Sequence, residues 1–400
     1  MDEKNKLIHF YRRAGFGANP TLIEAASTYS AALQSQLNPT STFRLGSDIS
    51  YPRNWRTLSQ SRKKEILEEA RQVSVQLGGD WIQQMSITQD LLLEKMTLFW
   101  HGHFACSTPP RPDFMVSLNN TMRENALGNC RALTKLVARE AAMLDYLNNT
   151  QNKKDNPNEN FARELMELFT IGRDNYTEQD IKEAARAFTG WAHTPEGSFV
   201  LRRPFHDFGI KTFFGHTGAF NGDDIIDILF DQKQTALFLA GKLHAFFVSD
   251  VPDPDFIEDI GSVLYTADYE IKPALEYIFN DDQFFAAAGT KIKSPTELLI
   301  GLNSAFRLQY PEPKTLIFLQ RNMGQHLFFP PNVAGWPSGR AWIDTSSLSF
   351  RMRLPSILLS SGVIEWNQTD DSAMTTLVKN RMRQATKKKT QKLFNIEADW

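Results

Sequence analysis

The chain has 400 residues, 42% apolar and 12% aromatic, which is enough to build one large core. Its 44 basic and 46 acidic residues nearly cancel, so no global field points to nucleic acid or to an anionic membrane. Cys106 and Cys130 form no CxxC pair, which excludes a cysteine zinc site and a disulfide framework; their separation alone does not say whether they pair.

Met1 to Lys6 leads into a short helical segment and not into an apolar signal region, so the chain as written reads as cytoplasmic, although one whose leader had been removed would look the same. No run of about 18 apolar residues is present to span a bilayer. Residues 5–14 predict a helix stopped by Gly15-Phe16-Gly17, and Asn19-Pro20 opens the next. After a turn-rich stretch over 40–60, a charged helix over 61–77 is separated by Gly78-Gly79-Asp80 from an apolar helix over 81–104. Leu92, Met96, Phe99 and His103 form one stripe of the latter. Two further helices are predicted over 113–127 and 131–147.

Asn156-Pro157-Asn158-Glu159 then reads as an N-cap, a proline at the first helical position and a capping box, while Gly172 marks the stop. Thr177-x-x-Asp180 is another capping box. Residues 196–222 carry short β-prone runs and predict a hairpin or extended excursion. Helices resume over 223–248, 253–265, 270–280, 294–308 and 314–323. A long irregular loop follows over 324–344, rich in Pro, Gly and Trp. The fold expected is mainly α: one large multi-helix domain over 1–366 with a small β-hairpin insertion. Residues 367–400 form a polar tail whose Lys387-Lys388-Lys389 run reads as solvated, so nucleic acid is not an expected partner.

Several segments carry ionisable groups in suggestive patterns. In the helix opened by Asn156, the capping box accounts for Glu159 and an i,i+4 pair with Arg163 accounts for Glu167. Glu164 is left at the edge of the apolar face, as a candidate for an interior polar site. His101 and His103 flank Gly102 at a helix end, where a turn there would let both imidazoles converge on a divalent metal ion with Glu164 as a third ligand. The competing use is core packing of His103 and helix capping by His101. His206, Asp207 and Lys211 offer a base, an orienting carboxylate and a cation within one turn, against the simpler use of Asp207 to hold a turn at Gly209. Arg13 ends a helix, and Trp336, Arg340 and Trp342 lie on the rigid 324–344 loop. These four are candidates for substrate binding, since tryptophan faces suit sugars or cations and arginine suits carboxylate or phosphate.

The runs Arg12-Arg13-Ala14-Gly15-Phe16-Gly17, Phe99-Trp100-His101-Gly102-His103-Phe104 and Asn158 to Phe169 occur in that order. Ala187-Phe188-Thr189-Gly190-Trp191, His206 to Thr212, Ile292-Lys293-Ser294-Pro295 and Pro330 to Pro337 follow them. Together they resemble the bacterial proteins grouped as domain of unknown function 1800 (DUF1800), over about residues 8 to 360. The resemblance implies one continuous unit and brings no reaction with it. Many relatives look exported, whereas this chain shows no leader. Two functional expectations follow from the residues. One is an enzyme with an interhelical site, acting by metal-assisted hydrolysis through His101, His103, Glu164, His206, Asp207 and Lys211. The other is a non-catalytic module that holds a glycan or a partner protein with the 324–344 loop and the arginines.

Overall fold

A computed structural model describes residues 1–18, 20–49, 51–52, 57–306, 308–310, 313–361 and 363–364. The polar tail expected over 367–400 lies outside the described residues. The architecture is mainly α, as expected, with three two-stranded antiparallel ladders among the described residues. One contiguous set of buried apolar side chains extends from Leu7 to Leu358. No helix among the described residues is long and apolar enough to cross a membrane.

Local chemistry explains most helix starts. Asp2 accepts a hydrogen bond from the Asn5 amide at 2.8 Å and caps Glu3–Arg13, whose last turn carries Arg12 and Arg13. Thr177 and Asp180 form the reciprocal box expected from their spacing, and Asn221 and Asp224 form a second one. Gly172 is left-handed, at φ 81°, as the stop signal required.

Four expectations are corrected. Gly78-Gly79 does not break a helix; Gln60–Ile87 runs through it as one rod. Both glycines are buried, and a Cβ on Gly78 would lie 2.9 Å from Gln320 Oε1, so they admit the Pro313–Met323 helix instead of stopping their own. The break falls at Thr88, ahead of Leu91–His103.

The capping box at Asn156 does not form. The first helical residue is Asn160, whose amide donates to Asn158 Oδ1 at 3.0 Å, while Asn158 is itself tied to Asn152 Oδ1 at 2.9 Å. Asn156 instead bridges to Lys153. The segment continues as a π-helix over Leu165–Thr170, which shifts the carboxylates away from ideal α spacing. Glu167 therefore pairs with Arg173 and accepts from the Tyr176 hydroxyl at 3.0 Å, whereas Arg163 reaches Glu159 and Glu178.

The β excursion expected over 196–222 is present, and it consists of two hairpins. Phe199–Leu201 pairs with Trp191–His193, and Lys211–Phe213 pairs with His216–Gly218, leaving 202–210 as the link between them. The helix expected over 223–248 is two helices, Gly222–Phe230 and Lys233–Phe247, because the chain turns at Asp231-Gln232 and buries Thr235 with its hydroxyl on Leu229 O.

Candidate functional site: a cationic cleft with an aromatic wall

The C-terminal end of Glu3–Arg13, the middle of Leu91–His103, the end of Lys233–Phe247, segment 287–294 and the start of Pro295–Phe306 meet at one place. Lys95 follows Glu94 in a mainly apolar stretch of its helix, and it is buried. Its ammonium donates to Gly15 O at 3.0 Å and pairs with the equally buried Glu297. Glu297 also accepts from the Ser294 amide at 2.7 Å, at the start of its own helix, where a carboxylate is favoured.

Glu297 is heavily outnumbered. Arg13, Lys291, Lys293 and Arg351 act on the same carboxylate as Lys95, and among the described residues Asp250 is a second acid acting on Arg13 and Lys291. Five cations thus share two carboxylates. Burial pulls Lys291 and Lys293 down to about 8, with Lys95 and Arg13 adding repulsion. Burial alone would raise Glu297, but Lys95 and Lys291 more than offset it and hold the carboxyl at about 2. Backbone carbonyls take up part of the charge: Arg13 donates to Val248 O, Lys291 to Ala245 O and Phe246 O, and Lys293 to Phe16 O. Arg13 Nε, Arg351 Nε and Nη2, and Asp250 Oδ1 stay buried without a protein partner.

Two lobes open from this cluster and share Phe246, Lys291 and Glu297. The first, of about 350 Å³, is lined by His9, Arg12, Arg13 and Lys293. The second, of about 230 Å³, has an aromatic wall of Phe99, Trp336 and Trp342, with His103 and Lys242 at its side. The wall is delivered by a backbone contact. Gly335 is left-handed, at φ 80°, and a Cβ there would stand 2.6 Å from Gly102 O, so only glycine brings the 324–344 loop onto the end of Leu91–His103.

Of the residues singled out from the sequence, Arg13, His103, Trp336 and Trp342 line this cleft. Trp336 is half-buried and Trp342 buried, and the nearby Arg340 is exposed and lines neither lobe. The other candidates lie elsewhere. His101 is buried behind the wall, with its ring 5.3 Å from Trp336, and its Nε2 accepts the Phe328 amide at 3.1 Å. His103 Nε2 donates to Phe169 O at 3.0 Å. Burial lowers both imidazoles to about 3, with Arg123 and Lys242 respectively adding to the effect, so both are neutral. Each ring therefore spends Nε2 on the backbone. Among the described residues no group of three His, Cys, Asp or Glu side chains is placed to hold a metal ion. His101, His103 and Glu164 form no such group.

Glu164 is half-buried and its carboxyl is raised, first by burial and then by Glu167, but it lines neither lobe. His206, Asp207 and Lys211 form a knot of their own. His206 Nδ1 donates to Thr189 O at 2.7 Å, Asp207 accepts from Arg186 Nε at 2.7 Å, and Lys211 Nζ donates to Asp207 O at 2.7 Å. This is the turn-holding use of Asp207, with Gly209 N donating to its Oδ1 at 2.8 Å. Cys106 and Cys130 are both free and buried.

Lys95, Lys291, Glu297, Asp250 and Arg351 were not singled out from the sequence, and Lys293 entered only as part of a family motif. The available signal was Glu94-Lys95, two charges in a mainly apolar helix; adjacent positions face different ways, so each requires its own buried partner. No curated protein and no solved structure matches the chain. A family model described as protein of unknown function (DUF1800) matches residues 9–399. The runs that carried the resemblance contribute Arg13, His103, Lys293 and Trp336 to one cleft, and the chain belongs to the DUF1800 family.

Proposed function

We propose that the chain binds an anionic ligand across the two-lobed cleft. The carboxylate or phosphate would sit among Arg13, Lys291 and Lys293, and a sugar ring or apolar portion would rest against Trp336 and Phe99. The observation that carries this reading is a cluster of five cations with two carboxylates, of which Arg13, Lys291 and Lys293 line the half-enclosed cleft. Like charges held together in low dielectric repel one another, and a bound anion removes that penalty. The partnerless Arg13 Nε and Arg351 Nη2 are further donors at the same cluster. Half-buried Trp336 beside Phe99 suits a ring face.

This reading favours the binding module over the metal-assisted hydrolase, because the residues assigned to catalysis occupy three separate hydrogen-bonded settings. It also moves the centre of the binding site from Arg340 to Arg13 and the lysines. The test is a thermal-shift and calorimetric titration with inorganic phosphate, citrate and glucuronate at low salt. Saturable stabilisation by at least one of them is expected, growing as RT ln(1 + [L]/Kd), and should be absent in Lys291→Met plus Lys293→Met. If none of the three saturates, or if the double variant responds like wild type, the reading is wrong.

A further inference from the structure

The 202–210 link carries three exposed large apolar side chains within six residues: Phe205 at 38%, Phe208 at 53% and Ile210 at 62%. Single exposed apolar residues need no explanation, but a cluster on one short loop does. This loop is also held rigidly from below. His206, between the exposed positions, and Lys211, just after them, are buried, and the Asp207 carboxylate is fixed by Arg186 at 2.7 Å. The Asp207 amide donates to Thr189 Oγ1 at 2.8 Å, and Lys211 Nζ also reaches Gly209 O at 3.0 Å. The knot that the sequence offered as catalytic machinery thus works as a mount that turns Phe205, Phe208 and Ile210 outward.

Cations surround the aromatic rings. Lys153 Nζ lies 5.1 Å and the Arg202 guanidinium 5.7 Å from the Phe205 ring centroid, and Arg203 lies 4.9 Å from that of Phe208. Segment 153–155 is tied alongside by the Lys154 amide, which donates to Phe205 O at 2.9 Å. Lys153, Lys154, Arg202 and Arg203 face only two carboxylates within the two segments, Asp155 and the Arg186-bound Asp207.

We infer that this loop is a peripheral docking surface for an anionic lipid bilayer, with Phe205, Phe208 and Ile210 entering the interface and Lys153, Lys154 and Arg203 meeting the headgroups. Charge complementarity selects an anionic partner. Size selects lipid over protein. Three side chains are far short of the roughly 800 Å² per side of a stable protein interface, whereas a lipid surface accepts small apolar wedges flanked by cations. The near-zero net charge of the chain makes such attachment local to this loop.

Co-sedimentation of the full chain with phosphatidylglycerol/phosphatidylcholine vesicles and with pure phosphatidylcholine vesicles tests this. Wild type is expected to bind the anionic vesicles at low salt, to release at high salt, and to ignore the neutral ones. Phe208→Ser plus Ile210→Ser, and separately Lys153→Glu plus Arg203→Glu, should each lower binding by about tenfold. Unchanged circular dichroism would show that both variants still fold. Failure of wild type to bind anionic vesicles overturns the inference, and so does equal binding by the Phe208/Ile210 variant. Capture by immobilised polyglutamate without vesicle binding would assign the patch to an acidic protein and overturn it too.

Discussion

Glu94 and Lys95 are neighbours on one helix, both buried, and each meets an opposite charge, yet the two pairs live in different surroundings. Glu94 takes Arg123 in a bidentate grip, at 2.9 and 3.2 Å, and accepts the Trp81 indole N–H at 2.7 Å. Arg123 spends its remaining donors on Asn119 and Asn120, at 2.7 and 3.1 Å. The charges and the donors of Arg123 and Trp81 close on one another there, with Asn119 Nδ2 the one buried donor of the group without a partner among the described residues. Lys95 and Glu297 form a pair of the same kind, but four more cations crowd the carboxylate and several donors are left over. A closed ion pair holds helices together, while an open one leaves a field that a ligand can satisfy.

The largest expected effect lies on the closed side. Arg123→Met leaves Glu94 buried without its counter-charge and should cost about 3–5 kcal/mol in urea unfolding. On the open side, Lys95→Met should cost clearly less, because Lys291 and Lys293 still act on Glu297. Equal losses in the two variants would erase the distinction.

Ligand binding sharpens the contrast next. Lys291→Met should weaken anion binding by about tenfold or more, measured by calorimetry, while its stability cost stays small, because the relief of crowded cations offsets the Ala245 and Phe246 carbonyls it leaves unpaired.

The pH dependence should separate binding from stability. Lys291 and Lys293 sit at about 8 in the folded chain, against 10.5 for an unperturbed lysine, so above pH 8 the folded state holds fewer protons than the unfolded one. Stability from these groups therefore rises with pH between about 8 and 10.5, while anion affinity falls over the same window as the cations discharge. Parallel curves for melting temperature and affinity would contradict the assignment.

Trp336→Ala should cost roughly 1 kcal/mol of affinity for a ring-bearing anion and little for inorganic phosphate. The smallest effect is expected at Glu164. Its raised carboxyl is a mild burden when ionised, so Glu164→Gln should shift stability at neutral pH upward by well under about 1 kcal/mol, read from the unfolding midpoint.

Much of the fold was legible along the chain because its signals are local. Thr177 caps its helix with a side chain three residues from the amide it satisfies, and Gly172 takes the left-handed conformation that a stop requires. Legibility failed where a distant element decided. Gly78-Gly79 reads as a breaker until Gln320 and Leu316 are packed against it, and Asn156 reads as a cap until the link to Asn152 places the helix start at Asn160. The site followed the same division. Arg13, His103, Trp336 and Trp342 stand in distinctive runs, but Lys291 and Glu297 carry no local mark.

The sequence by itself determined a mainly α chain, its family and the helix ends that carry an uncontested local cap or stop, because caps, periodicity and motif order act over a few residues. Only the tertiary structure decided which charges share a site. Lys95 and Glu297 are 202 positions apart, and the field they stand in exists only once five elements converge on them. It also separated the histidines from the carboxylates that local reading had grouped with them, because helix packing sets where each ring finds its hydrogen bond.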